Sequence, residues 1–148
     1  MADSPSDGWM LHRSIPSDTS VGSSLVSELI TAMLKRGWPE DERFRVRLAY
    51  EEAIVNAIRH GNGCAADKRV HVRFECDSQV VLIEITDEGV GFDPDSLPDP
   101  RHEDNLEVPG GRGVLMINEI MCEVLYSGTG NQVTMIKRRS ANASDTAG

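Results

Sequence analysis

Two neighbouring stretches of alternating apolar and polar residues constrain the fold of this chain more than any other feature. In residues 68–77 the apolar side chains occupy every second position, at Val70, Val72, Phe74 and Cys76. Residues 79–86 repeat the alternation after a short turn at Asp77-Ser78. Because successive side chains of a strand point to opposite faces, this pattern is typical of strands with one buried and one solvated face. The sequence therefore predicts a β-hairpin within an antiparallel sheet.

Helical periodicity before the hairpin predicts two helices. The first begins at the capping residues Ser17-Asp18-Thr19 and ends at Gly37, and the second runs from about Pro39 to His60 and ends at Gly61-Asn62-Gly63. Shorter patterns predict a strand from Trp9 to Pro16, a helix from Gly110 to about Met121, and strands at 123–126 and 132–137. We therefore expect an α+β fold, a two-layer sandwich of helices on a mixed, mostly antiparallel sheet.

An acidic, proline-rich stretch interrupts this regular pattern. Residues 92–109 contain four prolines and few aliphatic residues, so they cannot form a regular element. From Asp87 to Pro109, eight acidic residues stand against a single arginine. Loops of this length inside compact domains are usually lids or binding loops. We predict a single domain over residues 9–139 with a lid at 92–109, between disordered ends at 1–8 and 140–148.

The net charge of the chain argues against some classes of binding partner. Fifteen lysines and arginines against 24 acidic residues give a net charge of 15 − 24 = −9. Binding of nucleic acid through its phosphates, or of an anionic membrane surface, is therefore not expected. The N-terminus lacks the pattern of a secretory signal and no apolar run reaches a membrane span, so we expect a cytoplasmic protein. Three cysteines without a C-x-x-C pair are interpreted as reduced core residues: Cys64, Cys76 and Cys122.

Glu52 and Asn56 form the first candidate site. They stand four residues apart on the second predicted helix, so their side chains share one face. A carboxylate and an amide in this position could hold a divalent cation such as Mg²⁺, which prefers oxygen ligands, and could activate a hydroxyl group. On spacing alone, a solvated, hydrogen-bonded i,i+4 pair is the favoured interpretation.

Two glycine-rich segments form the other candidates. Asp87, Gly89 and Gly91 follow the end of a strand, where glycines allow the backbone to approach a flat ligand closely, although a tight exit turn would use the same residues. Gly111, Arg112 and Gly113 open a predicted helix, whose N–H groups suit phosphate, or else they form the hinge of the lid. Neither a Walker A loop nor a G-x-G-x-x-G fingerprint occurs in the sequence.

The order and spacing of these three segments resemble the N, G1 and G2 boxes of the GHKL (Bergerat-fold) ATPase superfamily. The matching residues are Glu52-x-x-x-Asn56, Asp87-x-Gly89-x-Gly91 and Gly111-x-Gly113, and the resemblance covers about residues 10–139. Within that superfamily the chain is most similar to the stand-alone anti-sigma factor serine/threonine kinases of bacteria. The resemblance implies ATP and Mg²⁺ as cofactors.

The resemblance also assigns a nucleotide-binding role to eight residues. Asp87 would accept a hydrogen bond from the adenine amino group, and Gly89 and Gly91 would give the base room. Asn56 would be the protein ligand of Mg²⁺. The remaining four would close on the phosphates or lie near the adenine: Gly111, Arg112 and Gly113 at the phosphates, and Thr134 at the adenine.

The catalytic and partner roles follow from the same resemblance. Glu52 would take the proton of an attacking serine or threonine hydroxyl, which in the kinase branch belongs to a STAS-domain anti-anti-sigma protein. The unphosphorylated form of that protein would compete with a sigma factor, and the chain could work as a homodimer. An alternative is a non-catalytic, nucleotide-responsive module that sequesters a sigma factor or another partner. An ATPase that releases phosphate to water and a scaffold without a ligand are further alternatives.

Overall fold

The predicted hairpin lies inside a five-stranded sheet in the computed structural model, which describes residues 8–89, 117, 119–127 and 131–139. The strands are β1 (Trp9–Pro16), β2 (Arg69–Cys76), β3 (Val80–Thr86), β4 (Glu123–Ser127) and β5 (Gln132–Arg138). Their order is β1-β2-β3-β5-β4, and every neighbouring pair is antiparallel. The α+β class is confirmed, whereas the expected mixed sheet is entirely antiparallel among the described strands.

The period-two alternation of the hairpin is confirmed by its burial. The apolar residues of β2 and β3 that share one face are all buried: Val70, Val72, Phe74, Cys76, Val81, Ile83 and Ile85. The turn is one residue longer than predicted, because the carboxylate of Asp77 accepts the N–H groups of Gln79 and Val80 at 2.7 and 2.8 Å. Such an Asx turn supplies side-chain hydrogen bonds where the strand ladder stops.

Two α-helices are described, and both contribute side chains to the core. Helix α1 spans Thr19–Lys35, and Asp18 caps it by accepting the N–H groups of Ser20 and Val21. Hydrogen bonds to Ser20 lower the pKa of Asp18. Helix α2 spans Glu40–Val55 and begins after Pro39 with three acidic residues in its first turn, where the helix dipole favours negative charge. No helix in the described residues is long and apolar enough to span a bilayer.

Close contact between α1 and α2 depends on Gly22. A Cβ atom at Gly22 would lie 2.8 Å from Cγ1 of Ile54, so a larger residue would push the helices apart. The buried hydroxyl of Tyr50 donates to the carbonyl of Gly22 at 2.7 Å, and Ser23 Oγ donates to Glu51 at 2.8 Å. Burial raises the pKa of Tyr50. These contacts fix α2, and with it Glu52, on the core.

The cysteines differ from the prediction. Cys76 is buried in the core, but Cys64 and Cys122 are exposed, so the interpretation of all three as core residues is wrong for two of them. Cys64 follows Gly63 in the segment after α2, where both residues have positive φ angles, 57° and 63°. This segment belongs to a surface turn, which the apolar character of cysteine does not reveal.

Candidate functional site

The second predicted helix changes its hydrogen-bond register at Asn56. The α-helical part ends at Val55, and a π-helical segment continues over Asn56–Gly61. The N–H of Asn62 donates to the carbonyl of Ala57, five residues earlier, at 2.9 Å. The helix therefore ends where the sequence predicts, but its last turn is wider than an α-turn. Such π-turns are frequent at functional sites.

Glu52 and Asn56 stand on either side of this change. Both side chains are half-buried; of the three residues between them, Ala53 and Ile54 are buried in the core and Val55 is partly buried. Within the described part of the chain, neither the carboxylate of Glu52 nor the amide of Asn56 has a hydrogen-bond partner. The structure therefore does not contain the i,i+4 hydrogen bond that was the alternative interpretation of this pair. As far as the described residues show, both groups are available to a ligand.

Asp87 lies directly after β3, at the end of the sheet next to the π-helical segment. One carboxylate oxygen, Oδ1, accepts the N–H of Gly89 at 2.8 Å. Within the described residues the other oxygen has no hydrogen-bond partner and can accept a donor. Burial raises the pKa of Asp87, and the Gly89 hydrogen bond and the charge of Lys68 oppose that rise.

Two glycines pack against each other around this carboxylate. A Cβ atom at Gly61 would overlap the carboxyl group of Asp87, and a Cβ atom at Gly89 would overlap the carbonyl of Gly61. The end of the π-helical segment can lie against the Asp87 turn because both positions lack side chains. The structure therefore joins the helix that carries Glu52 and Asn56 to the turn that carries Asp87.

Two asparagines that sequence analysis did not select hold this turn. The N–H of Asp87 donates to the carbonyl of Asn131 at 2.9 Å, and Nδ2 of Asn131 donates back to the carbonyl of Asp87 at 2.9 Å. Oδ1 of Asn62 accepts the N–H of Glu88 at 2.7 Å. Asn62 stands at the predicted helix end and Asn131 just before the predicted strand at 132–137, positions where asparagine is common for local reasons, so the sequence contained no sign of their longer-range bonds.

Thr134 is not brought together with Asp87. It lies on β5 opposite Glu84 and Leu125, on the sheet face away from the core, and its hydroxyl donates to the carboxylate of Glu84 at 3.4 Å. The residue that contacts Asp87 from this side of the sheet is Asn131, which stands in the turn just before β5, three positions earlier in the sequence than Thr134. Gly91, Gly111, Arg112 and Gly113, like the lid at 92–109 and the ends at 1–7 and 140–148, lie outside the described residues.

With this geometry established, comparison with known proteins identifies the family. A family model of the histidine kinase-like ATPase domain matches residues 18–137, most of the chain. The chain belongs to this family. A curated relative, the serine/threonine-protein kinase BtrW of Bordetella bronchiseptica, is 25% identical over 95 residues, which cover 63% of this chain and 67% of the relative.

Membership of the histidine kinase-like ATPase family implies ATP binding, and the described residues fit that ligand. The open oxygen of Asp87 is an acceptor for an amino group, and the contact between Gly61 and Gly89 leaves backbone without side chains next to it. Ile117, Ile120 and Met121, which follow the glycines predicted to bind phosphate, are buried.

The described residues of this site provide few protein ligands for a metal ion. Among the residues described by the structure, no group of three or more histidine, cysteine, aspartate or glutamate side chains could hold a metal. Among the described residues, the side-chain oxygen of Asn56 is one available protein ligand. That donor set fits Mg²⁺, which keeps several waters and commonly takes its other ligands from substrate phosphates.

Proposed function

We propose that this chain is an ATP-dependent serine/threonine protein kinase of the anti-sigma factor type, which phosphorylates a STAS-domain anti-anti-sigma protein. The observation that carries the proposal is the Asp87 turn, where a half-buried carboxylate with one open oxygen lies against the helix end that follows Glu52 and Asn56. The serine/threonine kinase among its relatives supports the reaction class.

Asp87 would select adenine over other bases. Its open oxygen accepts a hydrogen bond from the amino group of adenine, and the carbonyl oxygen that guanine carries at the same position would be repelled. The neighbouring Oδ1 is fixed by the N–H of Gly89, so the carboxylate is oriented before the nucleotide arrives. A site built around a specific hydrogen bond rejects analogues that lack its partner, because its own polar group then stays unpaired.

Asn56 would contribute an oxygen ligand to Mg²⁺ on the phosphates. When bound, Mg²⁺ neutralises charge that develops on the phosphate oxygens during transfer. The position of Asn56 at the first π-helical residue, one turn beyond Glu52, puts the metal ligand and the carboxylate on neighbouring positions of one helix surface. Such an arrangement keeps the base close to the phosphate that is transferred.

Glu52 would act as the general base. Its carboxylate accepts the proton of a serine or threonine hydroxyl, the hydroxyl oxygen bonds to the γ-phosphorus, and the bond to the β,γ-bridging oxygen breaks, so ADP leaves with that electron pair. The absence of a competing hydrogen bond on Glu52 within the described residues supports this role. Positioning and charge neutralisation supply most of the acceleration in phosphoryl transfer.

The proposed partners are a STAS-domain protein as substrate and a sigma factor that binds when that protein is phosphorylated, with a homodimer as the working form. The experiment incubates the chain with γ-labelled ATP, Mg²⁺ and STAS-domain proteins from the source cell. Label on a serine or threonine of a STAS-domain protein is expected. ATP binding without transfer to any of them would instead support the nucleotide-responsive binding module, and free phosphate without a partner would support an ATPase.

A further inference from the structure

Asn62 is one of two polar residues buried in the described core, with 3% of its surface exposed. All hydrogen-bonding groups of its side chain are used. Nδ2 donates to Ser17 Oγ and to the carbonyl of Arg69, both at 3.0 Å, and Oδ1 accepts the N–H of Glu88 at 2.7 Å. Because a buried polar group is costly unless it is satisfied, these bonds fix the amide in one orientation.

The bond to Glu88 restrains the peptide group that follows Asp87. The N–H end of the Asp87–Glu88 peptide is held by Oδ1 of Asn62, and its C=O end is held by Nδ2 of Asn131. Since a peptide group is planar, two bonds at opposite ends fix its plane. The backbone that carries the Asp87 carboxylate is thus held on one side by Asn62, just after the π-helical segment, and on the other by Asn131, just before β5.

The π-helical segment brings Asn62 to this position. In an α-helix the N–H of Asn62 would donate to Ile58, but it donates to Ala57, and the N–H of Cys64 takes the carbonyl of Ile58 at 2.8 Å. The shift of register turns the amide of Asn62 toward the sheet instead of continuing the helix surface. Its position depends on a local change of helix geometry next to the proposed metal ligand.

We infer that Asn62 is a positioning residue for adenine recognition, which holds the Asp87–Glu88 peptide and thereby the Asp87 carboxylate in the orientation that the adenine amino group requires. This inference rests on the proposed function, because it takes Asp87 as the adenine acceptor. A merely structural role would lower stability and the affinity for every nucleotide alike. A positioning role lowers the affinity for ATP but not for GTP, because guanine donates no hydrogen bond to Asp87.

The test measures the dissociation constants of ATP and GTP with Mg²⁺ by calorimetry for the wild-type chain, Asn62→Ala and Tyr50→Phe. Tyr50→Phe is the matched control, since it removes a buried hydrogen bond of 2.7 Å between the helices, away from Asp87. We expect the ratio of ATP affinity to GTP affinity to fall at least about tenfold in Asn62→Ala, since a site loses discrimination when its specific hydrogen bond is misplaced. The control should keep the wild-type ratio.

The outcomes separate the inference from the proposed function. A wild-type chain that binds ATP no better than GTP refutes the role of Asp87, and the inference fails with it. A wild-type preference for ATP that Asn62→Ala retains overturns the inference alone. If Asn62→Ala does not fold, Ser17→Ala decides, because it removes one partner of Nδ2; a fall of about threefold in the same ratio is expected, and an unchanged ratio overturns the inference.

Discussion

Asn131 and Asp87 are joined by two reciprocal hydrogen bonds, each 2.9 Å long, one from the Asp87 N–H to the Asn131 carbonyl and one from Nδ2 of Asn131 to the Asp87 carbonyl. The first bond is between backbone groups, so it survives substitution of the side chain. The second depends on the amide. The connection between the Asp87 turn and the turn before β5 can therefore be weakened without breaking the sheet.

We predict that Asn131→Ala loses about 1 kcal/mol of unfolding free energy, the usual net value of one hydrogen bond, and binds ATP several-fold more weakly. Urea unfolding and calorimetry measure the two quantities. Gln132→Ala is the control, because the neighbouring side chain bonds Thr86 Oγ1 at 3.0 Å rather than Asp87. Equal losses of ATP affinity in the two variants would contradict a specific role for Asn131.

The raised pKa of Asp87 predicts opposite effects of pH on stability and on ligand binding. Because burial raises the pKa above the unfolded value near 3.8, the folded chain binds more protons than the unfolded chain between the two values. Stability therefore falls as pH rises through the folded pKa. In the proposed role of Asp87, ATP binding needs the ionised acceptor and should weaken as pH falls through the same pKa.

The variant Asp87→Asn tests both expectations, the effect on stability and the effect on ATP binding. It removes the charge that is costly to bury, so at neutral pH it should unfold at higher urea concentration than the wild type, with the difference vanishing in acid. It should also fail to bind ATP, since the amide can present an N–H to the adenine amino group in place of the charged acceptor. Thermal shift with ATP and Mg²⁺ at several pH values measures this. Full ATP affinity in Asp87→Asn would refute the adenine assignment.

The contact between Gly61 and Gly89 predicts that a single methyl group closes the site. In Gly89→Ala the new Cβ would overlap the Gly61 carbonyl, which belongs to backbone and cannot rotate away. We expect a loss of about 1–3 kcal/mol, as for overpacking, together with loss of ATP binding.

Gly63→Ala is the matched control for this substitution. Gly63 has a positive φ of 63° but nothing within 4 Å of its Cβ position. It should lose about 1 kcal/mol through backbone strain and keep its ATP affinity. A Gly89→Ala variant that binds ATP as well as Gly63→Ala does would show that the close contact is not required.

The structural features that depend on neighbouring residues in the sequence could be predicted. The hairpin followed from alternation in residues 68–86, and the start of α1 from the capping residues before Thr19, because both signals depend on neighbouring residues alone. Alternation also bears on Thr134, since its neighbour Met135 is buried and successive strand residues face opposite ways. The outward position of Thr134 follows once Met135 is known to be buried, and its place near the adenine, which the family resemblance implies, stays a prediction.

The features that depend on distant contacts were not predictable. The π-helical segment begins at Asn56, where the sequence has no proline or glycine to indicate a change of helix geometry. Asn62 stands between two glycines in a helix-ending sequence, where asparagine is common for its backbone preferences. Its burial results from packing against β2 and the Asp87 turn, which no local window of sequence contains.

The adjacent acids Glu51 and Glu52 provide a test of the proposed base within one helical turn. The Glu51 carboxylate accepts the Ser23 hydroxyl at 2.8 Å and so faces α1, whereas Glu52 has no such bond among the described residues. We predict that Glu52→Ala lowers the rate of phosphate transfer to the STAS-domain protein by about 10²–10⁴-fold, the usual contribution of a general base, without changing the dissociation constant of ATP. Glu51→Ala removes the same charge and should transfer phosphate at nearly the wild-type rate, with a small loss of stability. Single-turnover transfer with labelled ATP measures both variants, and transfer at the parent rate by Glu52→Ala would show that another group takes the proton.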